Sequence, residues 1–433
     1  MKIYAIRLKN FRLFETFETT FHERCSVFVS PNGQGKTTVI DAVTIALGSY
    51  LSQFEHGVNR GFRVNDVRQN SGASLLDGVT RFFPARIEAD GSTNSGSTGN
   101  WACELRGPKN KTTLGEAQYL AQYGRTLQTN ILQQGSSTLP FLAYYGTGRL
   151  WQNERVSGKK IKALNSRTSG YQGCFDATSH FRMGAEWFRY LDQNRKMGNS
   201  NRQLEGTRHE DYVVAIQDIV DRLVKHTGWH GLEFDFDRET LVMHHDAYGT
   251  LSVEELSDGI RIMVALAFDM ASRMIRLNSH LDAKSALSAP GIAMIDEVDM
   301  HLHPAWQQTV VTDLVEAFPS LQFILTTHSP HVLSSIPKEY IRVIGPTSAE
   351  IPASQTRGRE SSSVLASVME TDPRPPVPEV KDLEQYVQWL EQGHNDFAAI
   401  QQLRERLQAH FGDSEPRMVR AELIANLRTQ QGR

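Results

Sequence analysis

Apolar and polar positions alternate from the first residues. Ile3, Ala5 and Leu8 mark one face of a half-buried strand, and residues 17–21 resemble its hairpin partner. The run Ser26-Val27-Phe28-Val29 reads as a short buried strand, followed by a Gly-rich loop over 30–35 and a helix from 36 to about 47. Residues 55–135 are mixed, with a strand predicted over 81–89 and a Gly/Ser/Thr-rich loop tip over 94–100. Residues 139–145 are apolar and aromatic, a buried strand ending at Gly146-Thr147-Gly148-Arg149.

The period then lengthens. Trp187, Phe188, Tyr190 and Leu191, a polar interruption over 194–203, and Val213, Ile216, Ile219, Val220 and Leu223 describe a helical insertion too short for a long coiled-coil arm. Strands follow at 232–236 and 241–244, then a helix over 260–275, a strand over 292–295, a helix over 305–318 and a strand over 323–325. Strands alternating with helices predict a doubly wound, mainly parallel sheet. Pro373-Arg374-Pro375-Pro376-Val377-Pro378 reads as a stiff linker. Beyond it, Val380, Leu383, Val387 and Leu390, then Ile400, Leu403 and Leu407, and last Leu423, Ile424 and Leu427 fall at helical spacing, with breaks at Gly393 and Gly412. The expected organisation is a head over 1–150 and 231–345, a helical insertion over 151–230, a linker over 346–378 and a helical appendage over 379–433.

Composition sharpens this only a little. With 433 residues, 39% hydrophobic and 22% charged, the chain is a packed protein of more than one domain. A net charge of −3 gives no bulk argument for nucleic-acid binding. Cys25, Cys103 and Cys174 are odd in number and widely spaced, which predicts buried or incidental thiols. With no long apolar run and no signal-peptide pattern at the start, a cytoplasmic protein without a membrane span is expected.

The chemistry lies in four motifs. In Ser30-Pro31-Asn32-Gly33-Gln34-Gly35-Lys36-Thr37-Thr38, between a strand and a helix, the glycines let backbone N–H groups face phosphates. Lys36 reaches the β and γ oxygens and the hydroxyl of Thr37 holds Mg²⁺. Ser30 stands where the strict P-loop pattern has its first glycine. At the end of the apolar run 291–295, Asp296 is placed to hold Mg²⁺ and Glu297 to orient or polarise the attacking water. Leu256-Ser257-Asp258-Gly259 precedes an apolar helix, where Ser257 and free N–H groups at a positive helix end suit an anion. Asp299 lies just beyond the carboxylates, and His328 ends the next strand, where it can meet the γ-phosphate and the attacking water. A zinc site from His301, His303, His328 and His331 is the rival reading, disfavoured by the lack of nearby cysteines.

In this order the motifs resemble those of the ABC ATPases: P-loop, signature, Walker B, D-loop and switch histidine. The resemblance implies an α/β, ABC-type P-loop head with a mainly parallel sheet and an antiparallel N-terminal β part. It also implies bound ATP with Mg²⁺, and a head-to-tail homodimer, or a higher oligomer, in which Ser257 and Gly259 grip the nucleotide of the other subunit. Leu8-Lys9-Asn10-Phe11-Arg12 resembles the opening strand of SMC, RecF and OLD-like ATPases, which makes Arg12 a nucleotide contact or a plain surface arginine. A Q-loop glutamine is not evident; the tract 142–149 stands in its place.

The tracts 139–151 and 295–304 are similar to the PtuA anti-phage ATPases of Septu systems and retrons. That resemblance implies a partner HNH nuclease of the PtuB kind, and in retron versions a reverse transcriptase with its msDNA. Since the residues after His328 lack the spaced acidic set of a nuclease, cutting falls to the partner. A RecF-like repair ATPase without a nuclease is the alternative. Arg149, Arg155, Lys159, Lys160, Lys162 and Arg167 offer either a phosphate contact to nucleic acid or a solvated face.

Overall fold

The computed structural model describes residues 1–58, 60–71, 79–93, 96–113, 115–133, 135–148, 166–176, 181–196, 203–394, 396–412 and 414–430. They form two compact units, Met1–Val364 and Leu365–Arg433.

A six-stranded sheet forms the centre of the first unit, in the order Ala349–Glu350, Ile341–Ile344, Cys25–Val29, Leu321–Thr326, Gly291–Ile295, Phe141–Tyr145. All neighbours are parallel except the two-residue edge strand Ala349–Glu350. The inner strands Cys25–Val29, Leu321–Thr326 and Gly291–Ile295 are buried along their whole length, which is why they appear in the sequence as apolar runs rather than alternations. A second, antiparallel sheet holds Phe14–Thr20, Lys2–Phe11, Ala85–Ser92 and Thr98–Leu105.

Between the two sheets runs the helix Lys36–Leu51, buried at every position but Thr37. A helix apolar all round belongs in the middle of a fold. One side packs on Leu321–Thr326. On the other, Trp101 donates its indole N–H to the Ala46 carbonyl at 2.9 Å. Gln322, fully buried in the central strand, accepts from the Ile3 N–H at 2.9 Å and donates back to its carbonyl at 2.7 Å, lacing one sheet to the other.

Several elements depart from the sequence reading. The strand expected over 81–89 is two, Val79–Arg81 and Ala85–Ser92, separated by Phe83-Pro84. Thr98 already belongs to a strand, so the loop tip is shorter than 94–100. The helix expected over 305–318 is Pro304–Gln307 and Val310–Ala317. Elements not foreseen include the helix Gln118–Leu132, the strands Thr98–Leu105 and Ile341–Ile344, and the strand Gly249–Ser252, the last completing a small antiparallel sheet with His230–Asp235 and Thr240–His245. The 346–378 stretch is more than a linker: it contains Ala349–Glu350, the buried Thr356 bonded to the Ile336 carbonyl, and the helix Ser361–Ser367.

The described part of the insertion packs into the head. Helices Phe181–Lys196 and Gln203–Val224 lie against the helix Asp258–Leu277, with Phe188 edge-on to Phe268 and the Tyr212 hydroxyl donating to the Ser279 carbonyl at 2.9 Å. In the second unit, Pro378–Gln392, Phe397–Phe411 and Pro416–Gln430 close around Leu383, Tyr386, Leu403, Leu407 and Met418. Gly393 ends the first of these helices at φ +69°, a left-handed position that favours glycine.

Candidate functional site

The P-loop follows the buried strand Cys25–Val29, so its backbone emerges at the carboxyl edge of a parallel sheet. Asn32, Gly33 and Gln34 are exposed, and Gly33 and Gly35 take φ of +79° and +103°. At Gly35 a side chain is doubly barred, since a Cβ would also stand 2.6 Å from the Phe14 ring. These turns aim the first N–H groups of the helix Lys36–Leu51 outward, where no intrahelical acceptor exists. Lys36 folds back over the loop, donating to the Ser30 carbonyl at 2.7 Å and to Pro31 at 3.2 Å. Burial lowers its pKa, against the opposing pull of Asp296, Glu297 and Asp299. Thr38 is buried beneath the loop.

The carboxylates follow the strand Gly291–Ile295, two places from Cys25–Val29 in the sheet. The Thr37 hydroxyl donates to the Asp296 carboxylate at 2.8 Å across 259 residues of sequence. Glu297 sits at φ +50°, a left-handed position uncommon for a non-glycine residue, with its N–H bonded to the Thr326 hydroxyl at 2.7 Å. Asp299 accepts from the Thr327 hydroxyl at 2.6 Å, so the D-loop is pinned to the strand that leads to His328. His328 has its pKa lowered, first by burial and next by the Lys36 cation, with the three carboxylates pulling the other way. Its imidazole is therefore neutral at pH 7, with one ring nitrogen free to accept. Lys36, Thr37, Asp296, Glu297, Asp299 and His328 thus share one locality.

Ser257 and Gly259 open the helix Asp258–Leu277. Ser257 is the exposed N-cap of Asp258–Leu277, and its hydroxyl makes no capping bond. Just before it, Ser252 and Glu255 form a capping box that fixes the chain's approach. Gly259 has a local reason to be glycine, because a Cβ there would stand 2.6 Å from the His301 carbonyl. The start of the helix Asp258–Leu277 accordingly abuts the turn at His301.

Arg12 sits beside the helix that follows the P-loop. Its guanidinium is engaged by Asp41 at 2.5 Å and Asp66 at 2.9 Å, and Arg60 pairs with Asp41 as well. As placed it ties the end of the first strand to the P-loop helix through Asp41. Asp41, Asp66 and Arg60 were missed because nothing local in sequence marks them. The zinc alternative is also not assembled: His303 accepts from the Ala305 N–H at 3.3 Å and His331 bonds Ser361 at 2.9 Å. Among the described residues no group of three potential ligands comes together. Of the basic stretch, Arg149, Arg155, Lys159, Lys160 and Lys162 lie outside the described residues. Arg167 is structural, donating to the Leu277 carbonyl at 2.9 Å and the Ser137 carbonyl at 2.6 Å.

Beneath the site lies a network that sequence reasoning also missed. The Asp296 N–H donates to the Tyr145 carbonyl at 2.8 Å, and the Tyr145 hydroxyl donates to Asp269 at 2.8 Å. Asp269 pairs with Arg273 at 2.6 Å inside the signature helix, and Arg273 reaches the carbonyls of Gly170 and Gln172. Asp269 and Arg273 are both buried, so the acidic end of Gly291–Ile295 is tied to the helix Asp258–Leu277 through the interior. The three cysteines are buried and unpaired, and burial pushes the Cys103 and Cys174 thiols up to about 12.

A P-loop and acidic strand end of this geometry, on a mainly parallel sheet, define the class: the chain is an ABC/SMC-like P-loop ATPase. It matches the "AAA domain" family over residues 5–218, and a second match, "AAA domain, putative AbiEii toxin, Type IV TA system", covers residues 162–334. Within that class it is similar in sequence to retron ATPases and to Septu PtuA proteins. It is 26% identical to the "Retron Vc95 probable ATPase" of Vibrio cholerae, over 94% of this chain and 88% of that one. It is 24% identical to the "Retron Ec83 probable ATPase" of Escherichia coli, over 98% and 86%. The Septu protein PtuA of Bacillus thuringiensis is 22% identical over 74% of this chain and 70% of its own length. No helix among the described residues is long and apolar enough to cross a membrane.

Proposed function

We propose that two copies of this chain meet head to tail and share ATP between the P-loop of one and Ser257 and Gly259 of the other, and that closure gates a partner HNH nuclease in the cytoplasm. The observation that carries this is the contrast between a preassembled half-site and an unsatisfied one. Thr37 and Asp296 already touch at 2.8 Å, while Ser257 stands exposed at a helix N-terminus with no capping bond.

A hydroxyl beside a carboxylate is a hard-oxygen pair suited to Mg²⁺. Thr37 and Asp296 would hold the ion, which would supply positive charge against the phosphates. The remaining work falls to side chains of the chain itself. The N–H groups of residues 32–38 cradle the phosphates, and Lys36 exchanges the Ser30 and Pro31 carbonyls for phosphate oxygens. Glu297 orients the attacking water and takes its proton. Neutral His328 hydrogen-bonds the γ-phosphate, and Asp299 holds the D-loop in register with it. Nucleotide can drive closure only as far as it prefers the closed state, and hydrolysis resets the switch.

The test is site-specific cross-linking. Chains carrying Gln34→Cys and chains carrying Asp258→Cys, treated with a short bis-thiol reagent, should join only with ATP. Adding Ser257→Arg should abolish the product while ATP binding persists. An ATP-independent product, or one untouched by Ser257→Arg, would sink the shared site. Nuclease gating is checked separately, by adding the HNH partner and asking whether ATP changes DNA cleavage.

A further inference from the structure

Away from the nucleotide site the first unit carries a groove of about 700 Å³, bordered by Gln203–Val224, Ala283–Leu287 and the end of Val310–Ala317. Val214, Ile219 and Leu287 supply apolar lining, and Val214 is 42% exposed. Glu210, Asp211, Asp218, Asp282 and Glu316 outnumber Arg222 and Lys284 around it. Among the described residues no ion pair engages Glu210, Asp211, Asp218 or Glu316, so this charge is not neutralised internally. Glu210, Val214, Asp218 and Arg222 follow one another at helical spacing along one face. That face is three turns long, roughly 18 Å.

The second unit carries the complementary surface. On Pro416–Gln430, Val419, Leu423 and Leu427 recur every fourth residue and are 50%, 60% and 48% exposed. They lie on the face opposite the buried Met418 and Ala421, so the bundle's own core does not use them. Arg417 and Arg420 are exposed on the same helix and make no ion pair among the described residues. An apolar stripe of roughly 12 Å on a cationic helix matches a longer apolar groove with an anionic rim.

We propose that the C-terminal helix of one copy docks in this groove on the ATPase unit of a second copy. Each chain holds one groove and one helix, so the contact is heterologous: it closes reciprocally into a dimer or propagates into a larger assembly. It uses neither the P-loop nor Ser257, so it forms without nucleotide and weakens with salt.

Full-length protein without nucleotide should show a multiple of the monomer mass by light scattering. Reversing the groove (Glu210→Lys, Asp211→Lys, Asp218→Lys) or the helix (Arg417→Glu, Arg420→Glu) should each give monomers. Mixing the two variants should restore the larger mass, because each groove then meets a helix of opposite charge. Leu423→Asp, at an exposed position outside the bundle core, should also give monomers, independent of how the multiple variants fold. The proposal is overturned by a monomeric wild type, by any of these variants keeping the wild-type mass, or by a mixture that stays monomeric.

Discussion

The P-loop end and the signature end of the head solve opposite problems. At the P-loop end three of the polar side chains have partners within the chain: Lys36 on the Ser30 carbonyl, Thr37 on Asp296, Asp299 on Thr327. At the signature end Ser257 is exposed and caps nothing, while Gly259 is pressed against the backbone at His301. One end is a socket completed by folding. The other is a plug held ready by the same fold, and its position is dictated by packing behind it rather than by any ligand.

The comparison makes its largest demand at Glu297. Glu297→Gln should slow ATP turnover by about 10²- to 10⁴-fold with nucleotide affinity retained, read by steady-state hydrolysis beside equilibrium binding. Equal losses of both would mean that this carboxylate shapes the socket instead of serving the chemistry. Next is the buried link between the two ends. Asp269→Asn leaves Arg273 without its counter-charge and should cost about 3–5 kcal/mol in urea unfolding. A near-neutral result would show that the two ends are not joined through the interior. Gly259→Ala pushes a Cβ onto the His301 carbonyl and should cost about 1–3 kcal/mol, with ATP binding to the separate chain unchanged. The smallest effect is electrostatic. Lys36→Met removes a cation that depresses His328, so the His328 pKa should rise, as measured by NMR titration of the ring protons. Since the folded value lies below the ordinary 6.5, stability falls as pH drops through that value, and Lys36→Met should lose less there than wild type.

The socket was legible because its chemistry is contiguous in sequence. Nine consecutive residues spell the P-loop, and an apolar run ending in two acids spells the carboxylate edge. What remained hidden depends on distance along the chain. Arg12 finds Asp66 across 54 positions, and Tyr145 finds Asp269 across 124, with no local periodicity to announce either pairing. The helix Gln118–Leu132 was obscured for a different reason. Its buried positions include Gly124, which is there because a Cβ would meet the Tyr50 carbonyl at 2.9 Å, and so the apolar stripe looks interrupted. Residues 346–378 failed similarly. A two-residue edge strand has too few side chains to show an alternation, and prolines near its end dominate the composition.

The bond between Gln322 and Ile3 sets a clock on biosynthesis. The first strand leaves the ribosome early, yet the residue that anchors it is made only after some three quarters of the chain, and the strand beneath the P-loop waits for the same segment. A messenger cut short before that point yields a polypeptide whose phosphate loop has no sheet to rest on.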